Sequence, residues 1–147
     1  MADGNLQISI VVRKTPQEVF DAINNVTGWW TQNLTGDTRQ LNDEFEVRFG
    51  DVHHSKQRLI ELEPNKKIVW LVTESDLSFV KQRTEWTGTM ISFEIIANNK
   101  HTEVCFRHLG LTKEIECYNA CSNAWVEYIN GSLKTFIEEG KVQPVRN

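Results

Sequence analysis

The chain has 147 residues and a formal net charge of −4; 39% of its residues are hydrophobic and 10% are aromatic. This length suits one domain with one core, so we expect a single domain over residues 1–147, ordered from about residue 5 to about residue 140. The composition excludes a disordered chain, and the lack of an apolar run of about 18 residues excludes a transmembrane helix. Without a cluster of basic and aromatic residues, nucleic acid is not an expected partner.

The N-terminus and the cysteines indicate a reducing compartment. No basic region followed by an apolar stretch opens the chain, so we expect a cytoplasmic protein. The three cysteines are an odd number, which argues against structural disulfides. Cys117 and Cys121 lie four residues apart, but no second pair with the spacing of a zinc site follows them. We therefore expect these two side chains to pack as small apolar groups, with no metal and no cofactor.

The chain begins with a strand and two short helices. Residues 6–12 alternate apolar and mostly polar side chains, which predicts a strand. Thr15 is a good helix N-cap and Pro16 is favoured at the first helical position. Residues 26–31 predict a second helical turn, which carries Trp29 and Trp30. The opening order is therefore strand, helix, helix.

From residue 43 to residue 109 the hydrophobic period changes to two, which is typical of antiparallel strands with one buried face. Short turn sequences rich in Gly, Pro and Asn separate the segments, so neighbours in sequence should pair. Residues 74–83 are mostly polar and predict a loop or short helix at the rim of the sheet. The predicted strands in this region are 43–49, 55–63, 67–73, 84–97 and 102–109.

A long helix is predicted over residues 114–139, where apolar residues recur at spacings of three and four. Asn119 and Ser122 fall on the same side as this apolar stripe. A helix that only filled a core would carry bulky apolar groups there, so the interruption predicts a cavity. A bend at Asn130-Gly131, or simply a tolerated glycine, is also expected.

These elements together predict an α+β fold in which a curved antiparallel sheet of about six strands wraps around the long C-terminal helix. Their order and spacing resemble the helix-grip fold of the SRPBCC, or START-like, superfamily. Within it they resemble the branch named for the activator of the ninety-kilodalton heat-shock protein ATPase. The resemblance covers nearly the whole chain and rests on residues 15–22 leading to Trp29-Trp30, on 85–89 entering 91–95, on 108–111, and on 125–129.

The superfamily contains lipid carriers, hormone receptors, aromatase/cyclase-type enzymes and co-chaperone domains, so the resemblance alone implies no single function. It implies that the region of Trp29 and Trp30 closes one end of the cavity. The alternation along the predicted strands places apolar and aromatic side chains on the face of the sheet toward the helix. Such a wall suits a small hydrophobic or amphipathic ligand. The alternative is a fully packed core. The candidate lining residues are Trp29, Trp30, Phe45, Val47, Phe49, Trp70, Ile91, Phe93, Phe106, His108, Tyr118, Asn119, Ser122, Trp125 and Val126.

His108 is the titratable residue that strand parity directs toward the helix. There it could donate a hydrogen bond to a ligand or act as an acid or base, or it could be satisfied by Asn119, Ser122 or a water, and the last interpretation is favoured. His53, His54 and His101 lie at predicted turns and should be solvated.

An enzyme would need a pair of carboxylates, or a histidine with an orienting carboxylate, on the inner face. The sequence predicts none there, and we assign no catalytic residue.

Ligand binding is therefore the leading hypothesis, with two alternatives. One is a stress-response interaction module similar to the heat-shock ATPase activator, and the other is an aromatase/cyclase-like enzyme. Residues 67–72 are apolar on both faces. They could contact a chaperone or a second copy of the chain, or they could form a central strand covered on both sides.

Overall fold

The computed structural model describes residues 5–140 and contains one seven-stranded antiparallel sheet. The strands are β1 (Leu6–Val12), β2 (Leu34–Gly36), β3 (Glu44–Phe49), β4 (His53–Glu63), β5 (Lys67–Leu77), β6 (Met90–Asn98) and β7 (His101–Leu109). Their spatial order is β1-β7-β6-β5-β4-β3-β2, so β3 to β7 form the predicted meander and β1 returns to pair with β7. The predicted α+β helix-grip architecture is confirmed, with seven strands where about six were predicted.

Helix α1 (Pro16–Asn24) begins as predicted. The Thr15 hydroxyl accepts the Glu18 N–H at 3.1 Å, and the Glu18 carboxylate accepts the Thr15 N–H at 3.0 Å. This reciprocal capping box satisfies two N–H groups that the first helical turn leaves unpaired. A 3₁₀ turn (Val26–Gly28) follows and delivers both tryptophans to the interior.

The C-terminal helix spans residues 118–139 and has three consecutive parts. They are α2 (Tyr118–Val126), a π-helical segment (Glu127–Leu133) and α3 (Lys134–Glu139). The predicted start at residue 114 is wrong by four residues, because 110–117 form turns. The π-helical segment contains Asn130-Gly131, where the sequence predicted either a bend or a tolerated glycine. None of the helices between residues 5 and 140 is long and apolar enough to cross a bilayer.

Two strand boundaries, on either side of one loop, differ from the prediction. β5 continues through Leu77, beyond the predicted end at residue 73, and β6 starts at Met90 instead of residue 84. The loop 78–89 between them makes hydrogen bonds to other parts of the chain as well as to β5. The Glu85 carboxylate accepts the backbone N–H of Cys117 at 2.8 Å and of Glu116 at 3.2 Å, just before the C-terminal helix.

The outer face of the sheet explains the two-sided apolar pattern of residues 67–72. Val69 lies on that face between Glu61 and Ser92 in the strand register, yet it is only 5% exposed. The ion pairs Lys67–Glu61 and Arg107–Glu94 lie on the same face. The aliphatic stems of such long side chains cover neighbouring apolar surface, so the chain's own residues account for the burial of Val69.

Candidate functional site

An apolar cavity of about 240 Å³ lies at one end of the sheet, beneath the C-terminal helix. Most of its lining side chains are aromatic, and none carries a carboxylate, an ammonium or a guanidinium group. Val52 and Phe79 are 49% and 46% exposed, so they mark its mouth. The lining residues are Trp30, Phe49, Val52, His53, Phe79, Trp86, Ala120, Cys121, Ala124, Trp125 and Tyr128.

Three parts of the fold build this cavity. The end of the β3–β4 hairpin supplies Phe49, Val52 and His53, and loop 78–89 supplies Phe79 and Trp86. The C-terminal helix supplies Ala120 and the residues one, four, five and eight positions after it, which lie along one side of a helix. The helix residues are Ala120, Cys121, Ala124, Trp125 and Tyr128.

Hydrogen bonds to backbone groups hold the rim together. Ser78 donates its N–H to the Val52 carbonyl at 3.0 Å and its hydroxyl to the Asp51 carbonyl at 2.9 Å. On the other side of loop 78–89, the Glu116 carboxylate accepts the Lys81 N–H at 2.9 Å. The loop is therefore tied both to the hairpin and to the segment that precedes the helix.

Stacked indoles form the wall between the cavity and the core. The Trp125 ring lies 5.0 Å from the Trp30 ring and 6.0 Å from the Trp86 ring, at interplanar angles of 28° and 11°. Offset stacking of this kind stabilises aromatic pairs beyond the effect of area burial. A flat aromatic molecule entering the cavity would meet surfaces of matching shape.

His108 lies behind this wall and is fully buried, as strand parity predicted. Trp125 Nε1 donates to His108 Nδ1 at 3.0 Å, and Thr89 Oγ1 lies 2.9 Å from His108 Nε2. The Thr89 hydroxyl donates its own proton to the Trp86 carbonyl at 2.6 Å, so His108 must carry its proton on Nε2 and donate it to Thr89. Burial, with a smaller contribution from His53, lowers the pKa of His108 to about 3.

His108 is therefore a neutral core histidine, and each of its two ring nitrogens makes a hydrogen bond. The favoured reading of a satisfied histidine is correct, but the partners differ from those predicted. Trp125 and Thr89 take the places assigned to Asn119, Ser122 or a water. The alternative role of His108 as a ligand donor or a general acid or base has no free nitrogen to support it.

The predicted inward orientation of the polar residues on the helix is wrong. Asn119 is exposed and Val126 is 42% exposed, while the Ser122 hydroxyl donates to the Tyr118 carbonyl of its own helix. Cys117, Cys121 and Trp125 face the sheet instead. The cavity is lined by other residues of the same helix, including Ala120 and Cys121, and not by Asn119 or Ser122.

The other predicted lining residues divide into three groups. Trp30, Phe49 and Trp125 line the cavity, whereas Tyr118 is half-buried outside it. The remaining aromatic and aliphatic residues are at most 1% exposed and pack in the core away from the cavity. They are Trp29, Phe45, Val47, Trp70, Ile91, Phe93 and Phe106.

His53 was predicted to be solvated, whereas the structure leaves it only partly exposed and packs its ring against aromatic side chains. Its ring contacts the rings of Trp86, Phe49 and Trp30 at centroid distances of 4.7, 5.1 and 6.4 Å, each nearly perpendicular. Burial, with a smaller contribution from His54, lowers the pKa of His53 to about 4. The alternation of side chains along β4 could have revealed this position, because His53 lies on the same strand face as the buried Ser55.

Among the described residues, no group of three or more His, Cys, Asp or Glu side chains is placed to hold a metal ion. Cys117 and Cys121 are both buried in the helix face that meets the sheet. The chemistry that the cavity itself offers is apolar and aromatic contact, with few polar groups.

Comparison with known proteins shows the fold. The solution structure of the Aha1 dimer from Colwellia psychrerythraea matches with a TM-score of 0.76 and 24% identity, over 96% of this chain and 99% of that one. DynU16, from the dynemicin biosynthetic locus, matches with a TM-score of 0.68 and 14% identity, over 96% of this chain and 49% of that one. CalU16 from Micromonospora echinospora matches with a TM-score of 0.67 and 14% identity, over 95% of this chain and 77% of that one.

No protein-family model matches the chain, and a search of curated proteins also finds no match. The structural likeness confirms the fold that the resemblance implied. The chain has a helix-grip fold like that of the Aha1 protein from Colwellia psychrerythraea.

Proposed function

We propose that this protein binds a small hydrophobic, largely aromatic molecule in the cavity beneath the C-terminal helix. The observation that supports this most is the lining itself, which combines aromatic faces with a complete lack of formally charged side chains. Such surfaces gain free energy when an apolar molecule displaces water from them. At about 240 Å³ the cavity is slightly smaller than the roughly 300–1,000 Å³ of sites for drug-sized ligands, so the ligand is a molecule of about two rings.

Filling the cavity from the helix tests this proposal. Ala124 lines the cavity but is exposed, so Ala124→Trp should occupy the space without disturbing the core. We expect the affinity for β-isopropenylnaphthalene, measured by titration calorimetry, to fall by about tenfold or more, which corresponds to about 1.4 kcal/mol.

Asn123→Trp is the matched control, because Asn123 is exposed on the same helix turn and does not line the cavity. It should bind the hydrocarbon as the unmodified protein does. The proposal fails if the unmodified protein does not bind, or if both tryptophan variants weaken binding equally.

A second proposal concerns self-association, since the Colwellia protein is a dimer. We propose that the outer face of the sheet forms the contact between two copies. Val11 and Ile96 are 52% and 45% exposed on that face, on either side of Glu103 in the register of β1, β7 and β6. Neighbouring exposed apolar side chains are favourable sites for a symmetric contact. Stimulation of a heat-shock ATPase remains a prediction of the family resemblance.

Sedimentation velocity across the micromolar range measures this association directly. We expect a concentration-dependent dimer that Val11→Glu with Ile96→Glu converts to monomer, while the exposed Val126→Glu leaves it unchanged. A monomer at every concentration would exclude the dimer.

A further inference from the structure

His53 is the polar side chain placed among the aromatic faces at the cavity wall. Its ring plane is nearly perpendicular to those of Trp86, Phe49 and Trp30, with interplanar angles of 82°, 85° and 76°. Perpendicular packing of this kind brings the partly positive rim of one ring to the electron-rich face of the other. This packing fixes the plane of the imidazole before any ligand arrives.

A short hydrogen-bond chain behind the cavity determines where His53 carries its proton. Gln57 Nε2 donates to Ser55 Oγ at 2.6 Å, and Ser55 Oγ lies 2.8 Å from His53 Nε2. Ser55 and Gln57 are fully buried, and the Ser55 hydroxyl has no other hydrogen-bond partner within residues 5–140. With Gln57 as the donor to Ser55, we infer that the Ser55 proton goes to His53 Nε2, which makes Nε2 the acceptor.

The tautomer that follows is the one with the proton on Nδ1. This N–H has no partner within residues 5–140, while the residue that carries it lines the cavity. Because burial lowers the pKa of His53 to about 4, the imidazole is uncharged near neutral pH. The cavity wall therefore offers a neutral donor, oriented by two buried side chains.

We propose that the cavity selects neutral aromatic molecules that carry a hydrogen-bond acceptor such as a carbonyl oxygen. In this proposal, which rests on the function proposed above, His53 Nδ1–H donates to that acceptor. A ligand carboxylate or ammonium group would lose its hydration without gaining a counter-charge, because no lining side chain is charged. His53 thus acts as the residue that determines specificity, and Ser55 and Gln57 act as positioning residues.

Two probes of nearly identical shape separate the hydrogen bond from apolar contact. Methyl β-naphthyl ketone carries the acceptor, and β-isopropenylnaphthalene replaces its oxygen with a methylene group. In the unmodified protein and in His53→Phe, titration calorimetry gives the ratio of the two dissociation constants. We expect His53→Phe to shift this ratio against the ketone by about tenfold, because a buried acceptor without a donor is penalised.

His54→Phe is the matched control, since the adjacent His54 bonds Glu46 and does not line the cavity. It should leave the ratio unchanged. Ser55→Ala keeps the imidazole but removes the group that sets its tautomer, and should shift the ratio in the same direction by a smaller factor.

The outcomes separate this inference from the function on which it rests. If both probes bind but His53→Phe leaves the ratio of their dissociation constants unchanged, His53 does not donate a hydrogen bond to the ligand. The proposal that the cavity binds apolar molecules would still hold. If the unmodified protein binds neither probe, both proposals are overturned. Binding of the hydrocarbon by His53→Phe also shows that the variant has folded.

Discussion

Trp125→Ala is expected to lower the free energy of unfolding by about 3–5 kcal/mol, the range measured when a large aromatic side chain is removed from a core. The Trp125 indole is only 2% exposed and packs against Trp30, Trp86 and Phe106. It also donates the hydrogen bond that holds His108 Nδ1. Removing the indole therefore opens a void and leaves a buried acceptor unpaired.

Urea denaturation of three variants separates these effects. Trp125→Phe keeps much of the apolar area but removes the N–H, so we expect a loss of about 1–3 kcal/mol. Val126→Ala, at the next position but 42% exposed, should change stability by less than about 0.5 kcal/mol. If Trp125→Ala costs no more than Val126→Ala, the indole is not the link between helix and sheet.

Much of the fold could be predicted because its signals are local. The alternation in residues 6–12 and 43–49 determines which side chains face the core, and the structure buries the predicted ones. Thr15 and Pro16 start α1 through contacts within one helical turn. The three-residue strand β2 was missed because a segment so short has no measurable period.

The orientation of the C-terminal helix was predicted only in part, because the predicted apolar stripe included the buried Trp125, Ile129, Leu133 and Ile137 but also Asn119 and Val126, which are exposed. Its buried side chains recur every four residues, and in a straight α-helix such a series drifts by about 40° at each step. The π-helical segment has wider turns and keeps these residues facing the sheet. A regular α-helical period placed Asn119 and Val126 inside instead. The buried series is Cys117, Cys121, Trp125, Ile129, Leu133 and Ile137.

The cavity could not be placed from sequence because its rim depends on contacts between distant segments. Residues Val52 and Phe79 come together through the hydrogen bonds of Ser78, and Trp86 is held by the Glu85 contacts with the start of the helix. None of these contacts has a local signature. The aromatic character of the site was nevertheless predicted, since Trp30, Phe49 and Trp125 belong to both descriptions.

Acidification from pH 7 to pH 5 is expected to lower the free energy of unfolding by about 4 kcal/mol, well before the carboxylates titrate. Burial lowers the folded-state pKa of His108 to about 3 and of His53 to about 4, against 6.5 for an unperturbed histidine. Below pH 6.5 the unfolded chain binds protons that the folded chain does not bind, so stability falls as the pH falls. Each histidine contributes about 2 kcal/mol at pH 5, at about 1.4 kcal/mol per pH unit.

His53→Phe separates the two histidines in this pH range. Its loss of stability between pH 7 and pH 5, from urea titrations at each pH, should be about half that of the unmodified protein, because His108 alone then resists protonation. Glu18, Glu44 and Asp76 have lowered pKa values in the folded protein. Their contribution to stability is lost only below the ordinary pKa, which is 4.5 for Glu and 3.8 for Asp, so it does not change between pH 7 and pH 5. A flat profile between pH 7 and pH 5 would show that both imidazoles accept protons in the folded state.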